Sequence, residues 1–443
     1  MANARELALQ TLTDILIEGA YSNHALSEQI EKNELTVQDK NFMTELVYGT
    51  LQHEQLLNFY VTPFFKGKVK AWIRILIQMT LYQILFLDSV PEHAAISEAV
   101  TIAKKRGGQF NGKLVNAILR EIMRTPLPSF ETIKDQEERL AIETSHPLWL
   151  IKLWSKQYGY EKAVQMAKAN NERVHVTIRV NGVKGTREEL KQKLESEGIT
   201  CTYGSLSEDA LVVLKGNVIQ TKAFEQGWFY VQDESSMLVG RALKPKHHSK
   251  VLDTCSAPGG KTTHLAEIMR QTGTVYAHDV YDHKIKLIEA NVNRLGLTNV
   301  VATLQDAMTL NERYEAESFD AILVDAPCSG LGILRRHPEV KLTKKPSDLD
   351  EITSIQKQIL NTVAPLLKPG GTLVYSTCTV NRKENDKMIE QFLGQHSDYE
   401  LDSTLVKRLP DALSDQTQHG MVQLFPGDYQ TDGFFIACLK RQG

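Results

Sequence analysis

Residues 251–261 read VLDTCSAPGGK and residues 321–330 read AILVDAPCSG. Each is a short apolar run that breaks at an acidic residue and continues into a loop of Gly, Pro, Ser and Cys. That is the pattern of a buried strand followed by a turn. It recurs: residues 274–277 run up to Asp279, residues 300–304 up to Gln305 and Asp306, and residues 372–375 up to Ser376, Thr377, Cys378 and Thr379. Helical periodicity fills the intervals, at residues 264–270, 284–295 and 349–367, and a last strand-like run covers 434–439. Strands alternating with helices over residues 233–443 predict a doubly wound α/β domain with a parallel sheet. Ligands of such sheets bind beyond the carboxyl ends of the strands, so function is to be sought in the loops after each strand.

Upstream the patterns change. Residues 1–128 are helical throughout, with Ala8, Leu12, Ile15 and Leu16 on one face, further runs over 41–60 and 73–87, a stop at Pro91, and helices at 93–105 and 112–123. Strand-like alternation is absent there, which predicts an all-α bundle. Residues 129–147 follow Pro126 and Pro128 and hold the charged run KDQEERL before His146-Pro147; they read as a linker. Residues 148–232 mix an amphipathic stretch at 148–158, the alternating run VHVTIRV at 174–180, a capping box Thr186-x-x-Glu189, and strand-like runs at 211–214 and 228–231. A small α+β domain fits them.

Composition bounds the function. The 443 residues suit about three domains. Lys and Arg number 51 against 54 Asp and Glu, a net charge of −3, which excludes a polybasic binder and an acidic disordered chain alike. The most apolar stretch, residues 71–87, contains Arg74, Gln78 and Gln83, so no membrane segment is expected. An odd cysteine count of five and an N-terminus without a signal-peptide core argue for reduced thiols and a cytoplasmic location.

The loops narrow the chemistry. Cys255-Ser256-Ala257-Pro258-Gly259-Gly260-Lys261 follows the first strand, and its two glycines allow close approach to a helix N-terminus. It is not a P-loop, which would need glycine at position 255, and it lacks the G-x-G-x-x-G pattern. Spacing alone fits a ligand loop and a tight strand–helix turn equally. Asp279 stands where ribose hydroxyls are held, or else caps a helix. With Asp253, Asp306 and Asp325 it makes four carboxylates along one sheet edge, a rim suited to ribose, an adenine amino group and a cationic centre. Cys328 and Cys378 follow the fourth and fifth strands, which brings both thiols to that edge. They have no C-x-x-C spacing and no matching histidine pair, so no metal is expected. A loop thiol beside positive charge is a nucleophile, whereas Cys201 and Cys438 read as packing. Residues 331–345, LGILRRHPEVKLTKK, set Arg335, Arg336, Lys341, Lys344 and Lys345 against Glu339 alone. That run is either a solvated loop or, beside a cleft, a phosphate contact.

Taken together, Asp325-Ala326-Pro327-Cys328-Ser329-Gly330, Thr377-Cys378-Thr379 and the loop from Cys255 to Lys261 resemble the S-adenosylmethionine-dependent RNA cytosine-C5 methyltransferases. Asp432-Gly433-Phe434-Phe435 fits the same family. Glu45-Leu46-Val47-Tyr48-Gly49 and the stretch from Asn111 to Arg120 resemble a NusB-like domain, and the middle region is similar to the RRM-like domain of relatives. The combination resembles the RsmB (Sun/Fmu) group of 16S ribosomal RNA methyltransferases over essentially the whole chain. It implies a NusB-like bundle (1–128), an RRM-like domain (148–232) and a Rossmann-like class I methyltransferase domain (233–443) with a mostly parallel seven-stranded sheet.

The same resemblance implies S-adenosyl-L-methionine as cofactor, 16S ribosomal RNA rather than DNA as partner, and 5-methylcytosine at a cytosine-967-type position as product. Cys378 is then the nucleophile that adds to cytosine C6, and Cys328 assists product release. The loop of Cys255, Ser256, Ala257, Pro258, Gly259, Gly260 and Lys261 binds the methionine part of the cofactor. Asp279 holds the ribose, Asp306 lies near the adenine, and Asp325 sits by the cofactor and the cytosine. Ser256 stands where relatives commonly carry alanine. Apart from the resemblance, the basic residues Lys104, Lys105, Arg106 and Arg120, with the five cations of residues 335–345, are expected to hold RNA backbone. Nothing in the sequence demands more than a monomer. Two other functions share these residues: the same chemistry on tRNA, and an antitermination-type RNA-binding factor with a vestigial catalytic domain. Intact Cys378, Cys328 and Asp325 count against the second.

Overall fold

The computed structural model describes residues 3–443, so the first two positions of the predicted helical domain lie outside the described residues. The chain divides into two units. One ends at Glu172 and includes Leu334–Lys344; the other comprises Arg173–Ile333 and Lys345–Gly443.

The first unit is helical. Ala8, Leu12 and Ile15 of the helix Ala4–Leu16 are buried, as their spacing predicts, among Met43, Leu46 and Leu76. The helix Ala71–Phe86 is buried on nearly every side, which suits the apolar run that composes it. The two helices predicted at 93–105 and 112–123 form one span, Glu92–Arg124, broken at Gly108, whose φ of 80° lies in the left-handed region that favours glycine. No helix among the described residues is long and apolar enough to cross a membrane.

The linker expected over 129–147 is instead part of this unit. Asp135 caps the helix Gln136–Glu143 by accepting from the amides of Glu137 and Glu138. Ser145 accepts from the amide of Leu56 at 2.9 Å, and His146 is fully buried. The charges that suggested a solvated linker belong to a helix that buries Leu140 and Ala141. Helices Leu148–Tyr158 and Tyr160–Ala169, expected in the middle domain, also belong here, with Leu150, Ile151, Trp154 and Met166 buried. The boundary therefore falls at Glu172.

The second unit holds two sheets. The smaller is antiparallel, formed by β1 (Val176–Val180), β2 (Thr200–Tyr203), β3 (Ala210–Lys215) and β4 (Phe229–Val231) in the order β2-β3-β1-β4. The predicted capping box opens the helix Arg187–Ser196, with both bonds between Thr186 and Glu189 made, and Leu190 and Leu194 pack on Ile178, Leu211 and Phe229.

The larger sheet comprises β5 (Lys250–Asp253), β6 (Thr274–Asp279), β7 (Val300–Leu304), β8 (Phe319–Asp325), β9 (Leu367–Thr377), β10 (Tyr399–Leu401), β11 (Thr417–Gln418), β12 (Met421–Leu424) and β13 (Phe434–Arg441). Its order is β11-β12-β13-β9-β8-β5-β6-β7, with β10 on β13. Strands β5 to β9 are parallel to one another, and β10 to β13 pair antiparallel. The sheet thus has nine strands rather than seven. β10 and β11 are too short for alternation to mark them.

Arg179 of β1 fastens the two sheets together. It is fully buried, pairs with Glu267 at 2.9 Å, and donates to Thr263 Oγ1 at 3.0 Å and Gly260 O at 2.7 Å, all on the helix Gly260–Ile268. Removing one partner of a buried pair strands the other and costs about 3–5 kcal/mol. Arg179→Ala is expected to destabilise the second unit by about that amount in denaturant unfolding, whereas Lys32→Ala, at the exposed pair with Glu28, leaves the midpoint unchanged.

Candidate active site

The parallel pairing of β8 with β9 sets Asp325 opposite Ser376. Cys328 follows Asp325 by three residues and Cys378 follows Ser376 by two, and their sulfurs are 3.3 Å apart. Asp325 accepts from Ser376 Oγ through Oδ1 and from Lys261 Nζ through Oδ2, each at 2.7 Å. Burial opposes the Lys261 ammonium, but the Asp325 carboxylate, with Cys378 and Asp253, outweighs it and holds the lysine above its ordinary pKa. The hydrogen bond to Cys378, burial and the Glu384 carboxylate all push the Cys328 thiol well above its ordinary range. Cys328 therefore stays protonated, its sulfur in hydrogen-bond contact with that of Cys378.

Three loops meet backbone to backbone at this point. Gly332 N donates to Cys378 O at 3.0 Å, and Gly433 N to Gly332 O at 2.8 Å. A Cβ on Gly332 would fall 2.0 Å from Gly433 O, so glycine alone lets the loop after Cys328 pass here. Phe434, from the same DGFF segment, lies under Lys261, with Nζ 5.2 Å from the ring centroid.

Two functional candidates that the sequence did not disclose lie just beyond Cys378. Glu384 is fully buried and accepts from Ser329 N (2.8 Å), Ser329 Oγ (2.6 Å), Asn381 Nδ2 (3.0 Å) and Gln356 Nε2 (3.1 Å). Asn385, also fully buried, accepts from Thr377 Oγ1 at 2.6 Å and donates to Thr379 O at 3.0 Å and Gln423 Oε1 at 2.7 Å. In the sequence they sit in VNRKEND (380–386), a segment dense in charge and without apolar periodicity.

On the other side of Asp325 is the loop from Cys255 to Lys261. Gly259 has a φ of 100° and leads into the helix Gly260–Ile268. A Cβ on Gly260 would press to 3.0 Å on the Tyr230 ring. The Ser256 hydroxyl donates to Asp253 O of β5 (2.8 Å) and accepts from His278 N of β6 (2.9 Å), stitching the loop to both strands with two bonds that alanine could not make. Burial pushes the Cys255 thiol up to about 12. Asp279 accepts from the amides of Ala257 (3.4 Å) and Tyr281 (3.3 Å), with Lys284 Nζ at 3.7 Å. Asp306 caps the short helix Ala307–Thr309 by accepting from Met308 N at 2.9 Å.

Asp253 is fully buried. Thr262 Oγ1 donates to its Oδ2 at 2.7 Å, while Oδ1 has no partner. Burial, opposed by the Thr262 bond and reinforced by Asp325, lifts its pKa to about 7. An unsatisfied carboxylate oxygen, a glycine-lined helix N-terminus and carboxylates at successive strand ends suit a nucleoside ligand that brings hydroxyl and amino donors and a positive centre.

The basic run of residues 335–345 does not form one surface. Lys341 is only 1% exposed; its Nζ donates to Gln52 O at 3.0 Å, with Asn171 Oδ1 at 3.5 Å, and burial lowers its pKa to about 7 despite Glu54. It is a packing lysine of the helical unit, to which Leu334–Lys344 belongs, and not a phosphate contact. Arg335, Arg336 and Lys344 are half-buried, and Lys345 is exposed, its amide donating to Asp348 at 3.0 Å.

Comparison with known proteins adds three family matches. Residues 240–440 match the model of 16S rRNA methyltransferase RsmB/F, residues 2–124 the NusB family, and residues 146–220 the ferredoxin-like domain of RsmF/B-like methyltransferases. The last match crosses the unit boundary at Glu172. The probable ribosomal RNA small subunit methyltransferase B of Bacillus subtilis is 46% identical over 443 residues, covering 100% of this chain and 99% of that protein. The protein of the same name from Synechocystis sp. is 33% identical over 446 residues, covering 100% of both. The crystal structure of PH0851 is 26% identical and superposes with a TM-score of 0.84 over 100% of this chain and 99% of that one.

Asp253 carries a pH signature. Its carboxyl is protonated in the folded chain up to about pH 7 and ionised in the unfolded chain above about pH 4. The stability it contributes is therefore full below about pH 4 and lost as pH rises to about 7. The unfolding midpoint of Asp253→Asn is expected to gain on the wild type across that window and to level off above it. A difference that stays constant from pH 4 to 8 would mean that Asp253 is ionised throughout.

Proposed function

The chain belongs to the 16S rRNA methyltransferase RsmB/F family, and from that premise we propose that it forms 5-methylcytosine in 16S ribosomal RNA through a covalent bond between Cys378 and C6 of one cytosine, of the 967 type. The observation that carries the reading is the pair of sulfurs 3.3 Å apart beside the Lys261–Asp325 ion pair.

S-adenosylmethionine is the cofactor, and when bound it supplies an electrophilic methyl group. The donors and acceptors around Gly259 and Gly260 suit it. The loop from Cys255 to Lys261 holds its methionine end, Asp279 its ribose, and Asp306 lies on the adenine side. The target base leaves its stack to reach the sulfurs, which costs least in a loop or single strand. Asp325 has one donor on each oxygen and a lone pair left on each, suited to the N4 amino group of cytosine.

Cytosine C5 is a poor nucleophile. The Cys378 thiolate adds to C6, and the C5=C6 electron pair moves to C5, which becomes enamine-like and would take the methyl group as the methyl–sulfur bond of the sulfonium breaks with its pair left on that sulfur. The C5 proton then leaves to a base. Its electron pair re-forms the double bond, and the C6–S bond breaks with its pair returning to the Cys378 sulfur. Cys328, held protonated and facing that sulfur, hydrogen-bonds to the departing thiolate. Lys104, Lys105, Arg106 and Arg120 are exposed on the helical unit, and with Arg335, Arg336, Lys344 and Lys345 they are the proposed RNA backbone contacts.

Methyl transfer from labelled S-adenosylmethionine, with 16S rRNA, 23S rRNA and tRNA offered separately, is expected to place label in 16S rRNA as 5-methylcytidine. Label in tRNA alone would replace the substrate, and label on another atom would overturn the chemistry. Cys378→Ala is expected to lose turnover by at least about 1000-fold with cofactor binding intact. Cys328→Ala is expected to accumulate an RNA–protein adduct on denaturing gels. Turnover retained in Cys378→Ala rejects it as the nucleophile.

A further inference from the structure

The turn after Cys378 buries two polar residues, and their contacts bracket the two sulfurs. On one side, Glu384 fixes the residue after Cys328: Ser329 gives it both its amide (2.8 Å) and its hydroxyl (2.6 Å). Gln356 donates both to Glu384 (3.1 Å) and to Pro327 O (2.9 Å), the residue before Cys328. On the other side, Asn385 accepts from the Thr377 hydroxyl (2.6 Å) and donates to Thr379 O (3.0 Å), the residues before and after Cys378. The Ser329 and Thr379 hydroxyls meet at 2.8 Å and close the link between the two loops.

A carboxylate and an amide buried this completely are costly to accommodate, and a strand-to-helix turn needs neither. Glu384 ties the loop after Cys378 to the loop after Cys328, and Asn385 braces the Cys378 loop on itself and on Gln423 of β12. A sulfur–sulfur distance of 3.3 Å leaves no slack: a movement of about 1 Å at either loop breaks the contact, and misplacement of that size costs on the order of 100-fold in rate.

We infer that Glu384 and Asn385 are positioning residues for the two cysteines, Glu384 acting through Ser329 on Cys328 and Asn385 acting through Thr377 and Thr379 on Cys378. The inference rests on the reading of Cys378 as nucleophile and Cys328 as the releasing residue. Its consequence is that the neighbours fail at different steps. Loss of Glu384 displaces the releasing thiol and leaves the nucleophile in place. Loss of Asn385 displaces the nucleophile.

The test uses the full chain with 16S rRNA and S-adenosylmethionine, reading turnover, adduct on denaturing gels and cofactor affinity. Glu384→Gln keeps the volume but turns an amino group toward donors. It is expected to slow turnover about 10–100-fold, to raise the adduct fraction, and to leave cofactor affinity unchanged. Asn385→Ala is expected to slow turnover with no rise in adduct. On a Cys328→Ala background, Glu384→Gln is expected to add nothing, because the step it disturbs is already lost, whereas Asn385→Ala lowers the adduct. Ser329→Ala, which removes a single hydroxyl, is expected to repeat the adduct rise on a smaller scale and covers the case in which Glu384→Gln fails to fold. Glu384→Gln or Ser329→Ala without an adduct rise, while Cys328→Ala accumulates adduct, overturns this inference alone. Cys328→Ala without adduct overturns the roles of the cysteines and the inference with them.

Discussion

Asp325 lies opposite Ser376 because β8 and β9 run parallel and in register, and most of the site follows from that one pairing. Parallel strands deliver their carboxyl ends to the same edge, so the chain must leave both strands through loops that share a narrow space. Ser376 bonds across to Asp325, Asp325 bonds back to Lys261 in the loop after β5, and the two sulfurs arrive in contact. A one-residue slip would send every side chain of β9 to the opposite face and separate them. The register is held from the far side by β13, which pairs with β9 over six residues and carries the Gly433 turn that closes on Gly332.

Electrostatics divides the labour within that space. Carboxylates and thiols crowd one sheet edge, with Lys261 paired to Asp325 and Lys284 near Asp279, and the groups respond unequally. Asp325 is paired with Lys261 and only partly buried. Asp253, buried behind it with one oxygen unsatisfied, has its pKa lifted to about 7. Cys328 is kept protonated by its neighbours. The Cys328 thiol thus owes its raised pKa to its surroundings, the Cys378 sulfur first among them, rather than to its identity.

The parts legible in the sequence were those with local causes. The apolar run of β8 ends at Asp325 and that of β9 at Ser376, so the residues beyond them stood out as strand-end residues. Thr186 and Glu189 announced a helix start because a capping box is a contact between neighbours. The missed parts depend on distant partners. Ser145 and His146 looked like linker residues until Leu56 and Asn170 met them. Lys341 is one of five cations in a run, and nothing local says which of them a helical unit will bury. Glu384 meets Ser329 across 55 residues, and its burial cannot be guessed from a segment as charged as VNRKEND. Strands of two or three residues, such as β10 and β11, carry no alternation to detect.

The central claim is that the sulfur of Cys378, and not that of Cys328, bonds to the base, although the two are 3.3 Å apart. The most direct test is to react the protein and S-adenosylmethionine with 16S rRNA in which cytosine is replaced by 5-fluorocytosine, whose C5 fluorine blocks elimination and leaves the adduct in place. The trapped protein is then digested, and the modified peptide is located by mass spectrometry. A nucleotide on the peptide containing Cys378 is the predicted result. A nucleotide on the peptide containing Cys328 would contradict the account.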